Sequence, residues 1–281
     1  MGNNLILKRF FSKKMLHDLL LENKSDIFDT VVRRYVNSPE GKAYGELISE
    51  IYSYIGNEYR TEYFYKNTML NKLLLKKHDY KKTIVLTELP IGDSKADFVM
   101  INGKGVVYEI KTELDNLERL NSQIEDYYKA FTNVVIVTYE ENIEKVSNII
   151  PESVGIMKLT KRKALKVVRE PIEEFYKLDY YTIFKILRKY EFEEIITESG
   201  FKLPKVNQFV YYKECFDLLK SIEIKTLQKM MLKEIKKRMR IETVKFCVNT
   251  PEELRFLAYF DDSIVKEKDR LDNILNKNYG G

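Results

Sequence analysis

Tryptophan is absent from the 281 residues, and histidine and cysteine occur only twice each. His17 lies among Met15, Leu16, Leu19 and Leu20 in a helix-like pattern, and His78 sits in the basic run KKHDYKK. Both read as structural or solvated, which leaves imidazole acid–base chemistry without an obvious carrier. Cys215 and Cys247 are far apart, with no CxxC pair or Cys/His cluster, so neither a disulfide framework nor a zinc site is expected. That usage fits a reducing, cytoplasmic compartment. No apolar run approaches the roughly 20 residues of a membrane-spanning helix, and MGNNLILKRFFSKK lacks the continuous apolar stretch of a signal peptide. Ile6 stands where a myristoylation signal would carry Ser or Thr.

What is present is apolar and mildly basic. Hydrophobic residues make up 44% and aromatic residues 12% of the chain, enough for one large core or two modest ones. Lys and Arg total 48 against 43 Asp and Glu, a charge of +5 and a pI near 8.8, which suits a polyanionic partner without requiring one. The 20 tyrosines could serve as stacking platforms for single strands, though core and interface roles account for most of them.

Apolar residues recur every three or four positions in KKMLHDLLLEN, DIFDTVVRRY and AYGELISEIYSYI, which predicts three helices, with SPEG (38–41) as a turn. A further helix is expected from Glu58 to about Lys76. The period then shortens to strands at 83–89, 96–102 and 106–112, with turns at PIGDSK and NGKG. The helical stripe of Leu117, Leu120, Ile124, Tyr127, Tyr128 and Phe131 leads into a strand at 134–139. Strand, helix and strand predict a crossover that makes 106–112 and 134–139 parallel neighbours. Another helix (ENIEKVSNII) and a strand at 154–159 follow, and from about residue 161 the pattern reads as helical again, KRKALKVV included. The changes in period suggest an N-terminal helical segment (1–57), a central α/β core (58–160) and a helical C-terminal domain (161–281).

The chemistry concentrates in VVYEIKTELD. In a strand, alternate side chains share a face, so Glu109 and Lys111 stand together where apolar residues would be expected. Burying them is costly without a partner charge or a metal ion. The hairpin turn at 102–105 brings Asp97 near Glu109, and two adjacent carboxylates call for a bound cation or a raised pKa. A hard divalent ion with oxygen ligands is the economical answer, with Mg²⁺ the usual ion in phosphate chemistry.

Asp97 followed by Glu109-Ile110-Lys111 resembles the D…(D/E)xK signature of the PD-(D/E)XK nuclease superfamily, which includes restriction endonucleases and Holliday-junction resolvases. More narrowly, residues 58–160 are similar to a group of small, largely uncharacterised bacterial and phage nuclease-like proteins within it. The matching positions are Glu88-Leu89, Lys95, Asp97, Glu109, Lys111, Asp115, Leu117, Arg119, Leu120, Gln123 and Tyr127. Ala96 departs from the Pro of the superfamily's name, and Lys95 stands where Arg is common in the narrower group.

The resemblance implies an α/β fold with a restriction-endonuclease-like core, a mixed sheet flanked by helices, and helical additions at both ends. It implies a metal site of Asp97, Glu109 and the Ile110 carbonyl, taking Mg²⁺ or Mn²⁺. Lys111 would orient or deprotonate the attacking water and offset charge on the phosphate. A helix Glu, Glu62 or alternatively Glu58, would complete the site. Gln123 would contact the nucleophile or the phosphate, and Arg119 lies one turn earlier. Glu88 is open between a site role and a pairing with Lys95. The implied function is metal-dependent hydrolysis of DNA, in repair, recombination or defence against foreign DNA. The alternative is a catalytically silent nucleic-acid-binding or protein-interaction module on the same fold. Basic stretches at 161–169 and 229–240, the second interrupted by Glu234, are candidates for phosphate contact. A homodimer, or a protein partner docked on the C-terminal helices, is the expected assembly.

Overall fold

The β-branched and aromatic runs in the middle of the chain form one sheet. The computed structural model describes residues 5–239 and 241–280. The first four residues, with the N-terminal Met-Gly, and Arg240, the last of the second basic stretch, lie outside the described residues. Among the described residues six strands pair in sequence order: β1 (Ile84–Ile91), β2 (Ser94–Asn102), β3 (Lys104–Ile110), β4 (Asn133–Thr138), β5 (Gly155–Leu159) and β6 (Leu165–Arg169). The sheet is mixed: β1, β2 and β3 are antiparallel, β3, β4 and β5 parallel, and β6 turns back antiparallel on β5. The protein is therefore α/β, with helices against a mixed sheet.

Chain contacts divide the described residues into two units, each discontinuous in sequence, where the changes in period suggest three consecutive segments. One unit holds 5–78, Lys161–Lys163 and 241–280; the other holds Asp79–Thr160 and Ala164–Met239, and with them the whole sheet.

In the sheet unit, the crossover helix Leu120–Tyr128 joins β3 to β4, which are parallel as expected from their sequence. Every residue of β4 is buried, as are Leu120, Ile124, Tyr127 and Tyr128 on the helix; Leu117 and Phe131, also buried, lie just outside the helix, which is shorter than the apolar stripe suggests. At Gly105 on β3 an added Cβ would stand 2.7 Å from both Phe131 and Leu232, so only glycine permits this close packing. Helix Ile143–Ile149 between β4 and β5, expected from ENIEKVSNII, and helices Tyr180–Ile186, Lys189–Glu198, Gln208–Leu219 and Ile224–Lys236 also belong to the unit. Buried within it, Glu191 accepts from Arg238 Nε at 2.6 Å and from its Nη2 at 2.5 Å. Burial pushes the Glu191 carboxyl up, but Arg238 and the Arg188 backbone N–H together hold it below the ordinary range.

The other unit is helical. Lys13–Glu22, Asp26–Tyr35 and Tyr44–Glu58 match the predicted N-terminal helices, the first two capped by Ser12 and Ser25. Asn67 and Asn71 fasten 5–78 to 241–280: Asn67 Oδ1 accepts from Phe256 N at 2.9 Å and Asn71 Oδ1 from Arg255 Nη1 at 2.9 Å.

Two expectations are corrected. The helix expected from Glu58 begins instead at Glu62; Tyr44–Glu58 is a separate helix, and the break at Tyr59–Thr61 ends with Thr61 accepting from Phe64 N. That helix runs to Met69 and continues as a π-helical segment, Leu70–Lys77. KRKALKVV is not helical: residues 165–169 form β6, joined to β5 by a turn in which Lys163 adopts φ +61° and Thr160 N bonds the Ala164 carbonyl at 2.9 Å. Among the described residues no helix is long and apolar enough to cross a membrane.

Candidate active site

Pairing between β2 and β3 ends at Phe98 opposite Tyr108, although β2 begins at Ser94 and β3 runs on to Ile110. The next positions in register are Asp97 and Glu109. Asp97 spends its carboxylate on the neighbouring strand's backbone: Oδ2 accepts from Ile110 N at 2.8 Å. On its other side Thr87 Oγ1 donates to the Asp97 carbonyl at 2.8 Å. Asp97 is half-buried at this notch in the sheet.

Glu109 is buried and heavily bonded, its side chain 3% exposed. Oε1 accepts from Lys111 Nζ at 2.9 Å and from Gln123 Nε2 at 2.7 Å, and Oε2 accepts from the Tyr127 hydroxyl at 2.6 Å. Lys111 Nζ also donates to Gln123 Oε1 at 2.9 Å, closing a three-membered ring of carboxylate, ammonium and amide. This resolves the problem of a Glu and a Lys on one buried strand face: each neutralises the other, and the crossover helix supplies the remaining hydrogen bonds. Gln123 and Tyr127 are four residues apart, so one helical face aims both at Glu109. The Tyr127 hydroxyl stays protonated, since burial and the adjacent Glu109 both drive its pKa far up.

The same helix anchors the β1–β2 turn. Asp126 Oδ2 accepts from Ser94 Oγ at 2.7 Å and Asp93 N at 3.2 Å, while Lys129 Nζ donates to Oδ1 at 2.7 Å. Gly92, at φ +60°, would place a Cβ 2.6 Å from Asp126 Oδ1. Burial pushes the Asp126 carboxyl up, but these donors more than offset it and leave it below the usual carboxylate range. Past β3, Thr112 N and Oγ1 both donate to Asp115 Oδ2, at 2.8 and 2.7 Å, turning the chain toward the crossover helix.

The structure brings Asp97, Glu109, Ile110, Lys111 and Gln123 together. Tyr127, placed in the apolar stripe by its spacing, also reaches Glu109 with its hydroxyl. Glu88 does more than pair with Lys95, 4.0 Å away: its carboxylate comes within 4.8 Å of that of Asp97. Glu88 lies opposite Asp97 in the β1–β2 register and adopts φ +52°, a left-handed conformation rare for Glu. Arg119 is exposed, and its side chain makes no hydrogen bond or ion pair among the described residues. Glu62 and Glu58 belong to the helical unit: Glu62 opens its helix in an ion pair with Lys66 at 2.5 Å, and Glu58 is the last residue of Tyr44–Glu58.

Some basic residues of the two stretches are engaged within the protein. Residues 161–169 are split between the units, and Arg169 bonds the carbonyls of Val154 and Pro151. In 229–240, Lys233 pairs with Glu198, Lys237 with Glu234 and Arg238 with Glu191.

A family model described as "Bacteriophage P4 protein cII" matches residues 56–257, well over half of the chain and all of the site just described. The chain belongs to the phage P4 cII family. Protein cII of Enterobacteria phage P4 is 22% identical over 171 residues, 59% of this chain and 63% of the cII protein's own length. A solved structure, "SPO1766 protein of unknown function from Silicibacter pomeroyi", is 13% identical with a TM-score of 0.27, covering 34% of this chain and 64% of its own. In this cII-family chain the ring of buried Glu109 and Lys111 with half-buried Gln123 lies inside the matched region.

Proposed function

We propose that this chain is a metal-dependent nuclease that hydrolyses phosphodiester bonds in DNA, built on a restriction-endonuclease-like core of the PD-(D/E)XK type. The observation that carries the reading is the convergence of Asp97, Glu109, Lys111 and Gln123 where β2 and β3 stop pairing. Where pairing between two strands stops, side chains are aimed differently from those of a continuous ladder, and such irregularities recur beside active sites.

The donor set fits a hard divalent cation, since it consists of carboxylate and carbonyl oxygens with no nitrogen or sulfur ligand. Glu109 Oε2 accepts one bond, from Tyr127, and a carboxylate oxygen can accept two. Asp97, Glu109 and the Ile110 carbonyl would hold Mg²⁺ or Mn²⁺, which would supply Lewis acidity and lower the pKa of bound water.

The chain's own residues do the remaining work. Two of the three Lys111 N–H donors are engaged by Glu109 and Gln123. The third is available to a phosphate oxygen, where a held ammonium stabilises charge that grows in the transition state. Gln123 fixes the ammonium and the carboxylate against each other. Tyr127, kept protonated, prevents Glu109 from turning away.

One observation favours a silent module instead: three side chains of the chain itself already bond Glu109, as in a purely structural buried network. End-labelled duplex and single-stranded oligonucleotides incubated with Mg²⁺, Mn²⁺ or EDTA decide between the two. Metal-dependent cleavage lost in Asp97→Ala is the expected result, and oligonucleotide binding without turnover would establish the silent module. A cytoplasmic role in repair, recombination or defence against foreign DNA follows from this activity by analogy alone.

A further inference from the structure

Away from the notch, the sheet unit carries an open groove of about 490 Å³ whose chemistry is aromatic and cationic. Its floor is Phe184 and Phe192, buried and tilted against each other with ring centroids 4.9 Å apart. Phe216 packs on Phe184 at 5.3 Å. Its walls are Tyr181 and Tyr212, 57% and 51% exposed; Tyr181 stands edge-on to Phe216 at 5.8 Å and Tyr212 to Phe192 at 5.6 Å. Lys185 and Lys213 complete the lining, and no carboxylate lines the groove. Neither lysine makes an ion pair among the described residues; Lys185 lies over the Tyr181 ring at 5.9 Å, and nearby Asp217 is engaged by Lys220.

The helix Gln208–Leu219 explains the exposure. It buries only Cys215 and Leu219, so Phe209, Tyr212 and Phe216, spaced three and four apart, form an aromatic stripe along one face. Phe209, the outermost, is 99% exposed. Phe209, on the same helix face as Tyr212, extends the exposed aromatic surface beyond the groove, and such patches mark binding surfaces.

We propose that this groove binds single-stranded nucleic acid, its rings stacking unpaired bases and its two lysines meeting the phosphate backbone. Charge complementarity selects this occupant: a groove with cationic groups and no carboxylate suits a polyanion, and every base offers a π-face to an exposed ring. The proposal stands apart from the chemistry at Glu109, because binding is measured without turnover.

The test uses the full chain in EDTA. Because the chain has no tryptophan, Tyr212→Trp introduces a single indole that a stacked base quenches. Fluorescence anisotropy of labelled dT20, rU20 and a 20-base-pair duplex gives the affinities. The expected result is preference for a single strand over the duplex, with indole quenching on titration. Phe209→Ala and Tyr181→Ala should each weaken binding roughly 5- to 100-fold. Lys185→Gln with Lys213→Gln should flatten the dependence of log affinity on log salt, by about 0.7 in slope for each phosphate no longer neutralised. The dT20 and rU20 arms separate DNA from RNA, and tighter binding of either supports the groove. Duplex preference, or single-strand binding unmoved by all these substitutions with circular dichroism unchanged, would overturn it. So would concentration-dependent self-association abolished by Phe209→Ala without oligonucleotide binding, which would make the stripe a protein interface.

Discussion

Removing the Lys111 ammonium leaves Glu109 buried with two neutral donors and no counter-charge. Lys111→Ala should therefore destabilise the chain by ~3–5 kcal/mol, and the paired change Glu109→Gln with Lys111→Met should recover most of that loss. Urea unfolding measures both, and a paired variant that is stable but inactive separates the network's structural contribution from its chemistry. Tyr127 makes a second test. Its pKa is raised in the fold, so the protonated ring stabilises the native state fully below the unfolded value of about 10 and loses that contribution as pH rises above it. Tyr127→Phe should flatten part of the stability decline above about pH 10, read from urea midpoints against pH. Glu109 and Lys111 were legible in the sequence because strand alternation put charged groups where apolar ones belong, whereas Gln123 was marked only by the resemblance to the PD-(D/E)XK pattern. The Tyr127 hydroxyl was not, because a tyrosine in an apolar stripe looks the same whether or not its oxygen finds a carboxylate. Glu88 was only half legible: the sequence left it open between a site role and a pairing with Lys95, and its left-handed backbone opposite Asp97 needed the strand register.

Elements that bury an apolar face announced themselves, and those that do not were misread. β4, buried throughout, reads as a continuous apolar run, and the crossover helix carries a clear helical period. β6 is an edge strand whose residues are exposed or half-buried, so KRKALKVV offered charge but no burial pattern to mark it as extended. The break between Glu58 and Glu62 contains no Gly or Pro, so the tyrosine and leucine spacing seemed continuous across it. At this scale Asp126 holds the β1–β2 turn to the crossover helix. Its pKa is lowered, so its stabilisation is present above the unfolded value of about 4 and lost as pH falls through the native value. Asp126→Asn should cost about 1–3 kcal/mol at neutral pH and reduce the slope of acid unfolding below about pH 4. Thermal unfolding monitored by circular dichroism from pH 3 to 7 checks both.

The two discontinuous units were the part least visible in the sequence, because local periodicity carries no information about where a chain returns. Residues near the C-terminus close the helical unit. Ala43 bridges Asn278, Gly41 N bonds the Tyr279 carbonyl at 2.9 Å, and the Tyr279 ring packs on Phe28 and Tyr44. Truncation before Lys277 should lower that unit's stability by at least about 2 kcal/mol through the lost aromatic burial, a change that limited proteolysis would show as faster cleavage in 5–78. For the molecule as a whole, the central claim is that Asp97, Glu109 and Lys111 form a phosphodiester-cleaving site. Conversion of supercoiled plasmid to nicked or linear form with Mg²⁺ or Mn²⁺ tests it most directly, comparing the native chain with Asp97→Ala and Lys111→Ala. The account predicts metal-dependent conversion that falls roughly 10²–10³-fold or more in each variant. No conversion by the native chain, or conversion that both folded variants retain, would contradict it.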